Sequence, residues 1–184
     1  MCRFPCCGTS SRRCADRLTR DDQNSMHTVD TTEAIALYTR LLEAWNRRSA
    51  EDFAGLFDLE GSCVGFDGSQ MNGRNEIATT LKAIFESHQT AAYVASVREV
   101  RELSPGAVLL RAAVGMVPPG QTDLKPDVNA IQSVVMIEAE DALRIALLQN
   151  TPAAFHQNPR AAEDLTRELT GVLSAGRIVQ LAGR

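Results

Sequence analysis

A chain of 184 residues is long enough for one hydrophobic core and short for two, since domains commonly run about 100 to 150 residues. Its hydrophobic fraction of 44% and charged fraction of 23% are ordinary for a globular protein, and no run approaches the roughly 18 apolar residues of a membrane span, so no membrane partner is expected. The net charge of -4 is uneven: residues 1–25 carry five Arg against three Asp, which leaves the rest acidic and without the basic stripe that a nucleic-acid partner favours.

Residues 1–25 follow neither helical nor strand periodicity and lack the roughly 7 to 15 apolar residues of a signal-peptide core. The expectation there is a disordered extension, with the native product beginning at Met26, where regular sequence sets in. Cys2, Cys6, Cys7 and Cys14 give no paired C-x2-C spacing and no His follows within reach, so zinc is not expected. Cys63 stands alone in an apolar segment, which predicts a buried, inert thiol and a disulfide-free body of the kind found in the cytoplasm.

From Asp30 the signals become regular. Asp30 with Glu33 resembles a capping box, and Ile35, Tyr38, Leu41, Leu42 and Trp45 recur at helical spacing. Ser49 can cap a short second helix whose buried side is Phe53, Leu56 and Phe57. Ser62 to Phe66 reads as a short strand, Asp67-Gly68 as a type I′ hairpin turn, and a second short strand ends at Asn72-Gly73. Arg74 to Ser87 returns to the helical period through Ile77, Leu81, Ile84 and Phe85. Four longer strands follow, Tyr93 to Leu103, Ala107 to Val117, Val128 to Ile137 and Leu143 to Asn150, with turns at Ser104-Pro105-Gly106, in a Pro/Gly loop and at Glu140-Asp141. Ala161 to Leu173 is helical again and ends near Gly176, as a terminal helix or a partner-docking arm. The division predicted is an extension at 1–25, one domain at 26–159, and a C-terminal helix and tail at 160–184.

This order predicts an α+β fold in which a curved antiparallel sheet packs on three helices and encloses a pocket. A curved sheet closed on one side by helices leaves a hollow, and such hollows are common ligand sites.

Several blocks carry a resemblance. AWNRRSAEDFAGLF (Ala44 to Phe57) and VGFDGSQMNGRNEI (Val64 to Ile77) are similar to the opening of SnoaL-like proteins of the nuclear-transport-factor-2-like (NTF2-like) superfamily. SVREVREL (Ser96 to Leu103), GMVPPGQTDLKPDVNAIQSVV (Gly115 to Val135) and LLQNTPAAFHQNP (Leu147 to Pro159) resemble the SgcJ/EcaC subfamily more closely, and together the blocks span about residues 31–159. The resemblance implies a cone-shaped fold, a homodimer through the open sheet, and an oxidoreductase label inherited from enediyne biosynthetic clusters. No glycine-rich nucleotide loop or redox cysteine pair accompanies that label, so no cofactor is expected. One departure is visible: relatives usually carry Gly-x-Trp near the final turn, where this chain has Asp141, Ala142 and Leu143. The base of the ketosteroid isomerases, which share the fold, aligns with Gly65 and their helix-one Tyr with Leu41, so isomerisation of that type is not expected here.

The candidate general base is Asp67, a role that needs a carboxylate raised by burial, set against an ordinary solvated hairpin residue. The candidate ligand-binding set is Trp45, Asn46, Phe66, Arg98, Asn129, Gln132, Gln149 and Asn150. An indole can wall a pocket while its N–H and the Asn46 amide hold a polar group, set against the more ordinary roles of Trp45 as core and Asn46 as a cap or a bridge to a neighbouring loop. Arg98 alternates with Ser96 and Val100 and would pair with an anionic substrate or sit on the surface. The four strand amides would need hydrogen-bond partners inside a cone, and only one of the neighbours Gln149 and Asn150 is expected to face inward. His27, His88 and His156 are isolated, and no metal is expected.

Three functions fit: a module that binds a small, mostly apolar metabolite; a cofactor-independent isomerase, cyclase or hydratase of polyketide-like or steroid-like substrates; and a dimer-forming partner with a filled cone. A buried Asp67 near Arg98 would favour the enzyme, and an amide-lined hollow with Asp67 in solvent would favour binding.

Overall fold

The computed structural model describes residues 30–140 and 142–183. The expectations for residues 1–25, Met26, His27 and Asp141 fall outside those residues.

Asp30 caps α1 (Thr31–Asn46) by accepting from the Thr32 N–H at 2.8 Å, and the stripe Ala34, Leu37, Tyr38, Leu41 and Leu42 is buried as its spacing predicts. Ser49 caps α2 (Ala50–Ala54). The expected helical place of Phe57 is corrected: the helix stops at Ala54, and Phe57 opens the strand β1 (Phe57–Val64). The expected span Ser62 to Phe66 is corrected as well, since the strand starts at Phe57 and ends at Val64, and at Gly61 it presses closely onto a neighbouring strand. A Cβ at that position would stand 2.6 Å from the Ile145 carbonyl oxygen.

β1 turns into β2 (Gln70–Asn72) at Asp67-Gly68, but the turn is not type I′. That type needs positive φ at both central residues, and of the two only Gly68 has it, at 84°. The Gly68 N–H donates to the Gly65 carbonyl and the Gly65 N–H to the Ser69 carbonyl, a three-residue loop closed by a left-handed glycine. Then come α3 (Arg74–Ser87), β3 (Ala92–Ser104), β4 (Ala107–Val117), a 3-10 turn at Pro126–Val128, β5 (Ala130–Ala139), β6 (Ala142–Pro152), α4 (Pro159–Ser174) and β7 (Val179–Leu181).

The strands form one sheet in the order β2-β1-β6-β5-β4-β3-β7. The meander β3 to β6 is antiparallel as expected. The sheet as a whole is mixed, which corrects the expectation of an all-antiparallel one: β1 runs parallel to β6 and β7 parallel to β3. These strands reach the sheet after helical excursions, so no tight hairpin ties their direction to that of the strand beside them.

The two faces of the sheet do different work. β5 alternates strictly, with Ala130, Gln132, Val134 and Met136 buried and the residues between them half-buried. The inner face joins α1, α2 and α3 in the main core. On the outer face Leu165 and Leu169 of α4 pack with Ala113, Leu124 and Ile131, so the C-terminal helix is docked on its own sheet. Among the described residues no helix is long and apolar enough to cross a membrane.

Candidate functional site

The hollow between the inner sheet face and the helices is a cavity of about 340 Å³. α1 contributes Leu41, Leu42 and Trp45, α2 Phe53, α3 Leu81 and Ile84, the β1–β2 hairpin Cys63, Phe66 and Met71, and the sheet Met116 and Leu148. The aromatic wall is fixed by contact: the Trp45 ring lies 5.3 Å from Phe85 and 5.4 Å from Tyr93, centroid to centroid.

Against these apolar walls the polar groups gather in one place. Gln132 and Asn150 face each other across β5 and β6 and are 2% and 8% exposed. The Tyr38 hydroxyl donates to Gln132 Oε1 at 2.6 Å, and Asn150 Nδ2 donates to the Tyr93 hydroxyl oxygen at 3.0 Å. Asn150 Oδ1 is sealed from solvent with no partner among the described residues. Burial pushes both tyrosines above the ordinary phenol range, so they stand in the fold as neutral hydroxyls. Burial likewise pushes the Cys63 thiol up to about 12, which leaves no thiolate nucleophile at neutral pH.

The expected site residues divide. Trp45, Phe66, Asp67, Gln132 and Asn150 come together around this cavity. Trp45 is there as a wall only, because its indole N–H already donates to the Ala91 carbonyl at 2.9 Å. Asp67 lies at the exposed rim, where the Ser69 hydroxyl and N–H donate to it and hold its carboxyl below the usual range. A base raised by burial is therefore not what Asp67 provides, and the solvated hairpin residue is the role the structure gives it.

The remaining residues lie elsewhere. Asn46 spends its amide on the Tyr93 backbone, donating to the carbonyl at 3.0 Å and accepting from the N–H at 2.7 Å. Arg98 pairs with Glu168 of α4 at 2.8 Å on the outer face. Asn129, on the loop before β5, donates to Thr166 of α4 and lines a separate, more open groove of about 670 Å³ beneath that helix. Of the strand neighbours Gln149 is exposed and Asn150 buried, as alternation requires. His88 and His156 are exposed, and the described residues contain no cluster of three or more His, Cys, Asp or Glu fit to hold a metal.

Tyr38 and Tyr93 are the residues the sequence reading missed. Both read as core because an aromatic body fills an apolar position well. The signal was the hydroxyl: these are the chain's two tyrosines, and a buried phenol needs a partner, which a strand amide supplies.

No family model matches the chain and no curated protein matches it. Solved structures do. A domain of unknown function with a cystatin-like fold from Nostoc punctiforme is 24% identical, over 79% of this chain and 97% of that one, with a TM-score of 0.64. An NTF-2 like protein of unknown function from Shewanella oneidensis is 16% identical over 66% and 98%, with a TM-score of 0.53. A ketosteroid isomerase-like protein from Erwinia carotovora is 16% identical over 66% and 95%, also at 0.53. With four α-helices and a mixed sheet of seven strands among the described residues, the chain has the NTF2-like, cystatin-like α+β fold.

Proposed function

We propose that this chain is a SnoaL-like cavity protein, of SgcJ/EcaC type, that binds a small, mostly apolar metabolite inside the cone. The observation that carries this reading is an apolar cavity of about 340 Å³ with its polar groups collected at Tyr93, Gln132 and Asn150, the composition of a site that orients one polar group of an otherwise greasy molecule. Acid–base catalysis draws less support: among the titratable residues lining the cavity, Cys63 and Tyr93 are held protonated and Asp67 is at the rim, while Arg98 is engaged with α4.

Trp45 is the chain's single tryptophan and walls the cavity, so it reports on occupancy. Titration with the neutral fluorophore N-phenyl-1-naphthylamine is expected to give saturable energy transfer from Trp45 at one probe per chain. Native mass spectrometry of protein from its own cells is expected to release a bound small molecule. Non-saturating transfer together with a clean unliganded mass would sink the reading.

The proposal includes a homodimer, in the cytoplasm, through the outer sheet face that α4 leaves uncovered. Leu109, Val135 and Leu147 are register neighbours on β4, β5 and β6 and remain half-exposed there, a row of aliphatic surface that a second copy would bury. Sedimentation velocity is expected to find a dimer that Val135→Glu converts to monomer. A wild-type protein that sediments as a monomer at the highest concentrations tested would remove the dimer.

A further inference from the structure

The cavity's polar end has a definite hydrogen-bonding sense. Gln132 Oε1 is occupied by the Tyr38 hydroxyl, which leaves the Gln132 amide N–H groups without a partner among the described residues. The Tyr93 oxygen is occupied by Asn150 Nδ2, which leaves the Tyr93 hydroxyl proton in the same position. Asn150 Oδ1, which makes no bond among the described residues, is sealed off, while Gln132 Oε1 and the Tyr93 oxygen each already accept one bond. At this end of the cavity the groups left wholly unpaired to meet a ligand are therefore donors.

The charge balance points the same way. Among the described residues no Lys, Arg or His lines the cavity, and the only charged lining residue is the rim carboxylate Asp67. An anionic ligand would shed its water with no cation to receive it and would enter past a like charge. A neutral acceptor oxygen meets neither obstacle.

Resting on the binding role proposed above, we infer that the cavity selects uncharged ligands that carry an acceptor oxygen, such as a carbonyl, on an apolar skeleton, and rejects carboxylates of the same shape. Gln132 Nε2 and the Tyr93 hydroxyl are the donors that hold the oxygen.

Met71 and Met116 line the cavity, so methionine methyl resonances of the whole chain report binding directly. Three probes of nearly one shape would be titrated at neutral pH: 2-acetylnaphthalene, 2-isopropylnaphthalene and 2-naphthoate. The ketone is expected to bind about tenfold more tightly than the hydrocarbon, from two modest hydrogen bonds, and at least about tenfold more tightly than the carboxylate. Tyr93→Phe and Gln132→Leu are each expected to reduce the ketone's advantage over the hydrocarbon, read as the ratio of the two affinities within each variant. If the hydrocarbon equals the ketone, or the naphthoate matches it, the cavity binds ligands but this selectivity is wrong. If no probe moves the Met71 or Met116 signals, the cavity reading itself fails and the inference goes with it. The wild-type ratios decide the matter even where a variant does not fold.

Discussion

Moving the protein from about pH 8 to about pH 10.5 is expected to cost stability, and about 2 kcal/mol of that loss is expected to disappear in a Cys63→Ala variant. Burial raises the Cys63 thiol from 9.0 to about 12. The sign follows from which state keeps its proton: above pH 9 the unfolded chain ionises this thiol while the fold still holds it neutral. The folded state then binds more protons, and stability falls as pH rises. The contribution is complete below the unfolded value of 9.0 and gone once pH has passed about 12, at about 1.4 kcal/mol for each pH unit between. Burial of Tyr38 and Tyr93 acts in the same direction from about pH 10 upward and steepens the decline of both proteins. Urea midpoints for both at the two pH values measure it, and the other cysteines cancel in the comparison. An equal decline in wild type and variant would mean that Cys63 is not shielded, and would undercut the closed cavity wall on which the binding role depends.

What the sequence shows and what it hides follow a physical division. β5 was legible because an alternating strand with one buried face can take only one register without turning its apolar residues outward. Gln132 and Asn150 were legible for a related reason: an amide among apolar neighbours on a strand has to find a partner. The direction of β1 and β7 was not legible, since it is set by partners distant in sequence and not by any local turn. Arg98 shows how alternation misleads. A register shift between Val97 and Glu99 breaks the period of two, so Val100 turns to the core while Arg98 stays on the outer face with α4. Asp67-Gly68 was recognisable as a turn, but loop length decided its type, and with it the place of Asp67 at the rim. Asn129 and α4 depended on a face of the sheet that the expected three-helix architecture left bare.

Asn46 carries the most consequential reassignment, and its substitution separates the two roles considered for it. β7 pairs with β3 only from Ala95 onward, so the backbone N–H and carbonyl of Tyr93 reach the sheet edge with no strand beside them. The Asn46 amide supplies one donor and one acceptor there, as a peptide group of a neighbouring strand would, and clamps the end of α1 to β3. Asn46→Ala removes both bonds and strands two part-buried backbone groups, with an expected loss of about 3 kcal/mol at roughly 1 to 3 kcal/mol for each group. Because Tyr93 is the residue clamped, its hydroxyl should lose its fixed place beside Asn150, and cavity affinity for a neutral carbonyl probe should fall with stability. A variant that keeps its urea midpoint but loses the probe would return Asn46 to the ligand-contact role. One that loses stability while binding as before would show that the Tyr93 hydroxyl is held in place by Asn150 and the cavity walls alone.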